Sequence, residues 1–305
     1  MRGTSKNQIY TGTGLAVLAT LIWSGNFIIA RAVHKTIPPV SLAFYRWATA
    51  SLLLLPFAYK KFIAELPTMR KHISYLFWVA LSGVALFNSF VYIAGHYSPA
   101  ISLALIGTTS SPIIAIILAR IFLKEKITTL RVLGLLVCVA GIVVLLTKGD
   151  WNNLLHFQFS KGDYWILLAA FCFAVYSTLV RKKPNSISPG NFLFTIFSGG
   201  TILLFPFYLW EQTRSEPVEW NALNIGSILY LGLGTSIIAY LCWNAAIARL
   251  GAARTALFGN LIPVFSTLEA VILLHESVGI IHFISFFLVI AGLAIANLNP
   301  NSIRQ

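Results

Sequence analysis

The chain has 305 residues, of which 57% are hydrophobic and only 10% charged, against about 25% charged in a soluble domain. With a mean hydropathy of +0.80 it lacks the charges to build a water-facing surface, which excludes two or three soluble domains. A formal charge of +13 could suggest a nucleic-acid partner, but the cations sort by side of a membrane, so none is expected.

Ten apolar stretches approach or exceed the roughly 20 residues that a helix needs to cross a bilayer: 11–31, 39–58, 73–95, 99–120, 129–147, 163–181, 191–210, 224–247, 254–274 and 279–297. Several are too long for barrel strands of about 10 residues. The expected fold is all-α, a ten-helix polytopic membrane protein in a lipid bilayer. In the first span Trp23 and Asn26 lie three apart. Arg2 and Lys6 before it, with Ala30-Arg31-Ala32 after it, mimic a cleavable signal. Its length and its Trp23, Ser24 and Asn26 argue that it is retained. The second span carries Arg46 about seven residues below its outer end.

In the third span Asn88, Tyr92 and His96 recur at intervals of four and share one helix face. The fourth holds LIGTTSSPII, residues 105–114, with Thr108 and Thr109 ahead of Pro112. Gly134 and Gly141 in the fifth span and Gly292 in the tenth suit close helix packing away from any cavity. The sixth carries Phe173 and Tyr176. The eighth repeats the polar stripe as Ser236, Tyr240 and Asn244, with Trp243 beside it. The ninth carries Asn260, Pro263 and, about six residues below its outer end, Glu269.

With the N-terminus inside, sixteen Lys and Arg fall on the inner side and five on the outer, with Arg46 within a span. That is the positive-inside bias, and it places both termini in the cytoplasm. Cys138, Cys172 and Cys242 all lie within spans, so no disulfide framework is implied.

Offset by 151 residues, the chain matches itself. Pro112 falls on Pro263, Glu125 on Glu276, Gly83 on Gly234, Ala140-Gly141 on Ala291-Gly292, and Tyr92 on Trp243. At an offset of 150, Trp23 meets Phe173 and Arg31 meets Arg181. Five coincidences in one register mark a repeat. Residues 1–148 form one five-span unit and 163–305 the second, joined by an external linker at 149–162. An odd number of spans makes the second unit enter from the opposite side, the inverted architecture of many secondary transporters.

The segments IWSGNFIIARAV (22–33), IPPVSLAFYRWATASLLLLP (37–56) and FLKEKIT (122–128), with its echo LLHESVG (273–279), resemble the drug/metabolite transporter superfamily, specifically its EamA-type members. The likeness runs through essentially the whole chain. It implies an inner-membrane carrier, commonly an exporter of amino acids or other small metabolites. Export as the direction enters only through that resemblance.

A proline inside a span removes one backbone bond and displaces the carbonyl four residues back. At about 1.5 Å per residue, Pro112 and Pro263 lie about 20 Å and about 14 Å from their entry points, near mid-membrane. One such kink, or one lone Trp, fits packing alone. Two kinks at matching repeat positions instead predict helix breaks around a substrate cavity. The expected lining is Trp23, Asn26, Asn88, Tyr92, Thr108 and Thr109 from the first half. The second half adds Tyr176, Tyr240, Trp243, Asn244 and Asn260. Aromatics would enclose an apolar body while amides orient a polar end. The similar depth of Arg46 and Glu269 predicts an ion pair or a shared outer cavity, with protons as the candidate coupling ion. Glu125 and Glu276 read as surface caps or gates.

The rival classes are thinner. An enzyme would need a metal-binding H-E-x-x-H, paired intramembrane carboxylates or a phosphate-cradling loop, and the sequence has none of these; no metal and no cofactor is expected. An exporter of drugs or lipid-like amphiphiles on the same fold is the nearer alternative, because an aromatic lining tolerates apolar cargo.

Overall fold

The computed structural model describes residues 6–33, 35–97, 100–125, 127–147, 149–150, 152, 160–274 and 279–298. Ten helices run through them: α1 (Lys6–Val33), α2 (Pro39–Lys71), α3 (Ile73–Tyr97), α4 (Ala100–Phe122) and α5 (Thr129–Thr147). The second half supplies α6 (Lys161–Arg181), α7 (Pro189–Gln212), α8 (Ala222–Leu250), α9 (252–274) and α10 (Ile280–Asn297). Of these, α2, α3, α6, α7 and α8 are each long and apolar enough to cross a bilayer over an uninterrupted window. α1 dilutes its apolar run with Thr20, Ser24 and Asn26, and α4, α5 and α10 carry shorter apolar runs among the described residues, Ser110–Phe122, Thr129–Val144 and Ile280–Ala296.

Packing obeys the exchange of halves. α2 lies along α7 and α5 along α10; α4 and α3 flank α6 as α9 and α8 flank α1. Swapping each helix for its repeat partner therefore reproduces the same pairings. Trp23 and Phe173, partners in the repeat, touch edge to face with ring centroids 5.5 Å apart, which puts the pseudo-twofold axis between them.

The α5–α10 pair is as close as backbones allow. A Cβ on Gly134 would lie 2.4 Å from the Gly292 carbonyl oxygen, and one on Gly292 would lie 2.6 Å from the Cys138 sulfur. The small residues there work as expected.

The α2–α7 pair is clamped at both ends. Both helices open with proline in the first turn, Pro39 and Pro189, where the missing N–H costs nothing. Glu211, near the end of α7, accepts from the Val40 and Ser41 backbone N–H groups and from Ser41 Oγ. Glu65 of α2 returns the arrangement at the other end, accepting from Ser188 N and Asn191 Nδ2. Each helix thus supplies an anion to the positive start of its neighbour.

Three expectations change. First, α4 is not broken at Pro112: it runs as one helix from Ala100 to Phe122, since one lost bond is affordable where flanking helices hold the segment. Second, the break in α9 precedes Pro263. Residues Leu257–Asn260 form a 3-10 turn, and Pro263 is the third residue of the helix that restarts at Leu261. There its absent N–H is an end group. Third, α2 continues well past residue 58 to Lys71, through Pro56 and Pro67.

The sequence reading also missed wide turns. Residues Leu81–Leu86 of α3 and Tyr230–Ile238 of α8 adopt π-helical pairing. They are repeat counterparts, each holding one of the matched glycines Gly83 and Gly234.

Candidate functional site

A cavity sits among α1, α2, α3, α4, α6, α8 and α9, enclosing about 800 Å³ including its open mouth. Helices α5, α7 and α10 contribute nothing to its lining. Its apolar wall is aromatic: Trp23, Phe87, Phe173 and Trp243. Trp23 packs against Trp243 at 5.0 Å, and Phe173 against Phe87 at 4.7 Å. Pro112 and Ser111 of α4 face Gly259 and Ile262 of α9 across the same space, so the two proline segments do meet the cavity, although neither proline itself breaks its helix.

The other end of the cavity is polar and is built on Arg46, which is 1% exposed. Its Nε donates to Ser236 Oγ at 2.7 Å. Nη1 is within bonding distance of Asn26 Oδ1 at 3.1 Å, Asn88 Oδ1 at 2.8 Å and the Tyr92 hydroxyl at 3.1 Å. Nη2 reaches the Thr235 carbonyl at 3.3 Å. The guanidinium also lies 4.7 Å from the centre of the Trp47 ring, a favourable cation–π contact. The predicted stripe on α3 turns inward here and brings Asn88 and Tyr92 to Asn26 around Arg46; Asn26 and Asn88 line the cavity, while Tyr92, expected in the lining, does not. His96, further along the stripe, is exposed.

The wide turns explain how this cluster is held. Pairing i to i+5 loosens the regular ladder and occurs often at functional sites. In each wide turn a carbonyl takes a side-chain donor from the opposite half: Thr235 O accepts from Trp23 Nε1 at 2.8 Å, and Gly83 O accepts from the Tyr240 hydroxyl at 2.9 Å. Gly83 is also where the Tyr176 ring docks, since a Cβ there would lie 2.1 Å from that ring.

Several expected lining residues stand elsewhere. Tyr176 and Tyr240 are fully buried and back the aromatic wall instead of facing the cavity. Tyr176 donates to Asn244 Oδ1 at 2.7 Å. Asn260 is fully buried beside Cys138; Gly259 of the 3-10 turn and Ile262 of the restarted helix face the cavity instead. The side chains of Thr108 and Thr109 lie outside the described residues.

Arg46 and Glu269 do not pair. Arg46 spends its donors on neutral acceptors, while Glu269 Oε1 meets Ser24 Oγ at 2.5 Å on a different face of α1 from Trp23 and Asn26. Similar depth was a poor guide because helix phase separates the two. Glu125 caps the start of α9, accepting from Ala252 N at 3.3 Å, beside Gly251 with its φ of +88°; its counterpart Glu276 lies outside the described residues.

The sequence reading missed Phe87 and the small floor of the cavity at Ala169 and Ala170. The latter leave room beside Phe173, but small size alone gave no signal. Among the described residues no three His, Cys, Asp or Glu side chains gather as a metal site would require.

Comparison with known proteins agrees with this geometry. The model of the EamA-like transporter family matches twice, over residues 10–147 and 160–298. A protein of Archaeoglobus fulgidus named as an uncharacterized transporter is 30% identical over 91% of this chain and 94% of its own length. The uncharacterized transporter YyaM of Bacillus subtilis is 28% identical over 82% of each chain. The uncharacterized inner membrane transporter YhbE of Escherichia coli is 27% identical over 86% of this chain and 80% of its own. A solved crystal structure superposes over 97% of this chain with a TM-score of 0.75 at 20% identity, a likeness of fold.

Proposed function

The chain belongs to the EamA-like transporter family, and from that premise we propose that it is a secondary carrier exporting a small metabolite, an amino acid or a related compound, across the inner membrane by alternating access. It is a multi-pass membrane transporter; the cargo, the direction and the cycle are the proposal. The observation that carries it is the cavity between the two halves. Its walls come from both repeats, and the paired residues Trp23 and Phe173 meet at its edge. One fold in two orientations gives two states of similar energy, so the units 1–148 and 163–305 can rock about a fixed site.

At the end where α1 begins, two contacts support a closed gate. Glu125 caps α9, and Arg181 donates to the Ile247 and Ala248 carbonyls at the end of α8. With the N-terminus cytoplasmic, this is the cytoplasmic side, and opening it requires those bonds to break.

Protons are the proposed coupling ion, with Glu269 as carrier. Ser24 Oγ has one hydrogen but two neighbouring acceptors, the Leu21 carbonyl and Glu269 Oε1. Both contacts are satisfied when the carboxyl bears the proton and donates it to Ser24. The second oxygen of Glu269 is buried without a partner among the described residues, which also favours the neutral acid.

The aromatic wall favours a second reading on the same cycle, export of drug-like or lipid-like amphiphiles. Purified protein in liposomes separates the classes. A carrier gives saturable counterflow of a trapped solute, a channel gives flux without counterflow, and an enzyme returns the solute chemically changed. Absence of counterflow across amino acids, short organic acids and amphiphilic dyes would overturn the proposal.

A further inference from the structure

We propose that the polar end of the cavity is a receptor for a carboxylate, with Arg46 and Asn88 as its donors, and that the cargo is a small organic monoanion with an apolar body. The inference rests on the carrier reading and narrows its cargo from amino acids and related compounds to carboxylates without an ammonium group.

A guanidinium has five N–H donors. Nε serves Ser236, the two on Nη1 serve Asn26, Asn88 and Tyr92, and one on Nη2 reaches Thr235. One Nη2 hydrogen is left with no acceptor among the described residues. Asn88 commits its Oδ1 to Arg46, and its buried Nδ2 carries two hydrogens with the Tyr240 hydroxyl as the one neighbour to share them among the described residues. Both residues line the cavity and both are 1% exposed. One Nη2 hydrogen and at least one Nδ2 hydrogen therefore lack acceptors among the described residues, and a carboxylate offers two oxygens.

Charge points the same way. Among the described residues every acceptor around Arg46 is neutral, and no Asp or Glu lines the cavity. A full positive charge thus stands in a low-dielectric interior without a counter-ion, which is strongly unfavourable unless an anion completes it. Glu269 cannot serve, being held at Ser24.

The repeat shows that this end is specialised. The counterparts of Asn26, Arg46, Asn88 and Tyr92 in the second half are Tyr176, Ile196, Ala239 and Trp243. An inverted fold that would give two like ends has charge and amide at one and apolar or aromatic surface at the other. Trp23, Phe173 and Trp243 thus suit the apolar body of an anion whose head lies at Arg46. An ammonium group would meet Arg46 with no anion to offset it.

Three probes of one shape test this: 3-phenylpropionate, 3-phenylpropanol and 3-phenylpropylamine. Binding to the purified full chain is read by tryptophan fluorescence, since Trp23 and Trp243 line the cavity. The acid is expected to bind about tenfold or more tighter than the alcohol, and the amine more weakly than either. Asn88→Asp places a carboxylate on the guanidinium and should remove the acid's advantage over the alcohol; thermal unfolding of the purified variant reports that it is folded. Arg46→Lys should keep the preference and Arg46→Gln lose it. An acid that does not bind, that binds no better than the alcohol or amine, or that keeps its advantage in Asn88→Asp overturns the proposal. Counterflow of the acid in liposomes keeps the two readings apart. Binding without exchange would remove the carrier and leave the receptor, and exchange without a preference for the anion would do the reverse.

Discussion

Glu269 and Ser24 show how a single proton can decide a site. If Glu269 carries the coupling proton, Glu269→Gln preserves the bond to Ser24, because an amide donates as a protonated acid does. The substitution should leave exchange of cargo between equal pools within about twofold of wild type. It should abolish the stimulation by an imposed pH gradient, measured as uptake into liposomes with and without the gradient. A variant that keeps its full response to the gradient would remove Glu269 from the coupling. Gly83 makes a different residue-scale claim. In an ordinary helix Gly→Ala gains up to about 1 kcal/mol. Here the new Cβ would sit 2.1 Å from the Tyr176 ring, and overpacking of this kind costs about 1–3 kcal/mol. Gly83→Ala should therefore lower the thermal unfolding temperature in detergent, whereas Gly14→Ala, with open space around it, should not.

At the scale of elements, the reciprocal caps between α2 and α7 give a clear test. Removing a charged cap costs about 1–2 kcal/mol, so Glu65→Ala and Glu211→Ala should each destabilise by that order. The two carboxylates stand at opposite ends of the helix pair, so the double variant should show the sum. Thermal unfolding of the three variants checks both statements, and a strongly non-additive double would mean that the ends are coupled.

Nothing in the sequence announced these caps. Their donors and acceptors are more than a hundred positions apart, and proline at the helix start marks only where a cap is needed. The wide turns were equally hidden, because π pairing has no residue signature beyond the matched Gly83 and Gly234. By contrast, the α5–α10 contact was legible, since Gly134, Gly141 and Gly292 permit an approach that other residues forbid. The polar stripe on α3 was legible for the same kind of reason: spacing by four fixes a face. The supposed Arg46–Glu269 pair failed because depth alone leaves helix phase undetermined. Prolines were over-read as breaks, since neighbours in a tight bundle hold a helix through one missing bond.

For the whole molecule, parity of spans, matched motifs and charge sidedness were enough to reach a ten-helix bundle of two inverted halves. The family match over both halves agrees with that reading. The centre was harder to foresee, because which aromatic faces a cavity and which backs it depends on contacts between halves. Trp23 and Trp243 face it, while Tyr176 and Tyr240 stand behind, though all four looked alike in sequence.

The central claim is that both halves enclose one site exposed to each side of the membrane in turn. Ser111, partly buried on the cavity wall, can report this as Ser111→Cys in a background lacking Cys138, Cys172 and Cys242. A membrane-impermeant thiol reagent is applied to one side of oriented vesicles at a time, with and without saturating cargo on the opposite side. The account predicts labelling from either side, with cargo on one side slowing or speeding access from the other as it shifts the population. Labelling from one side only, indifferent to cargo, would contradict it.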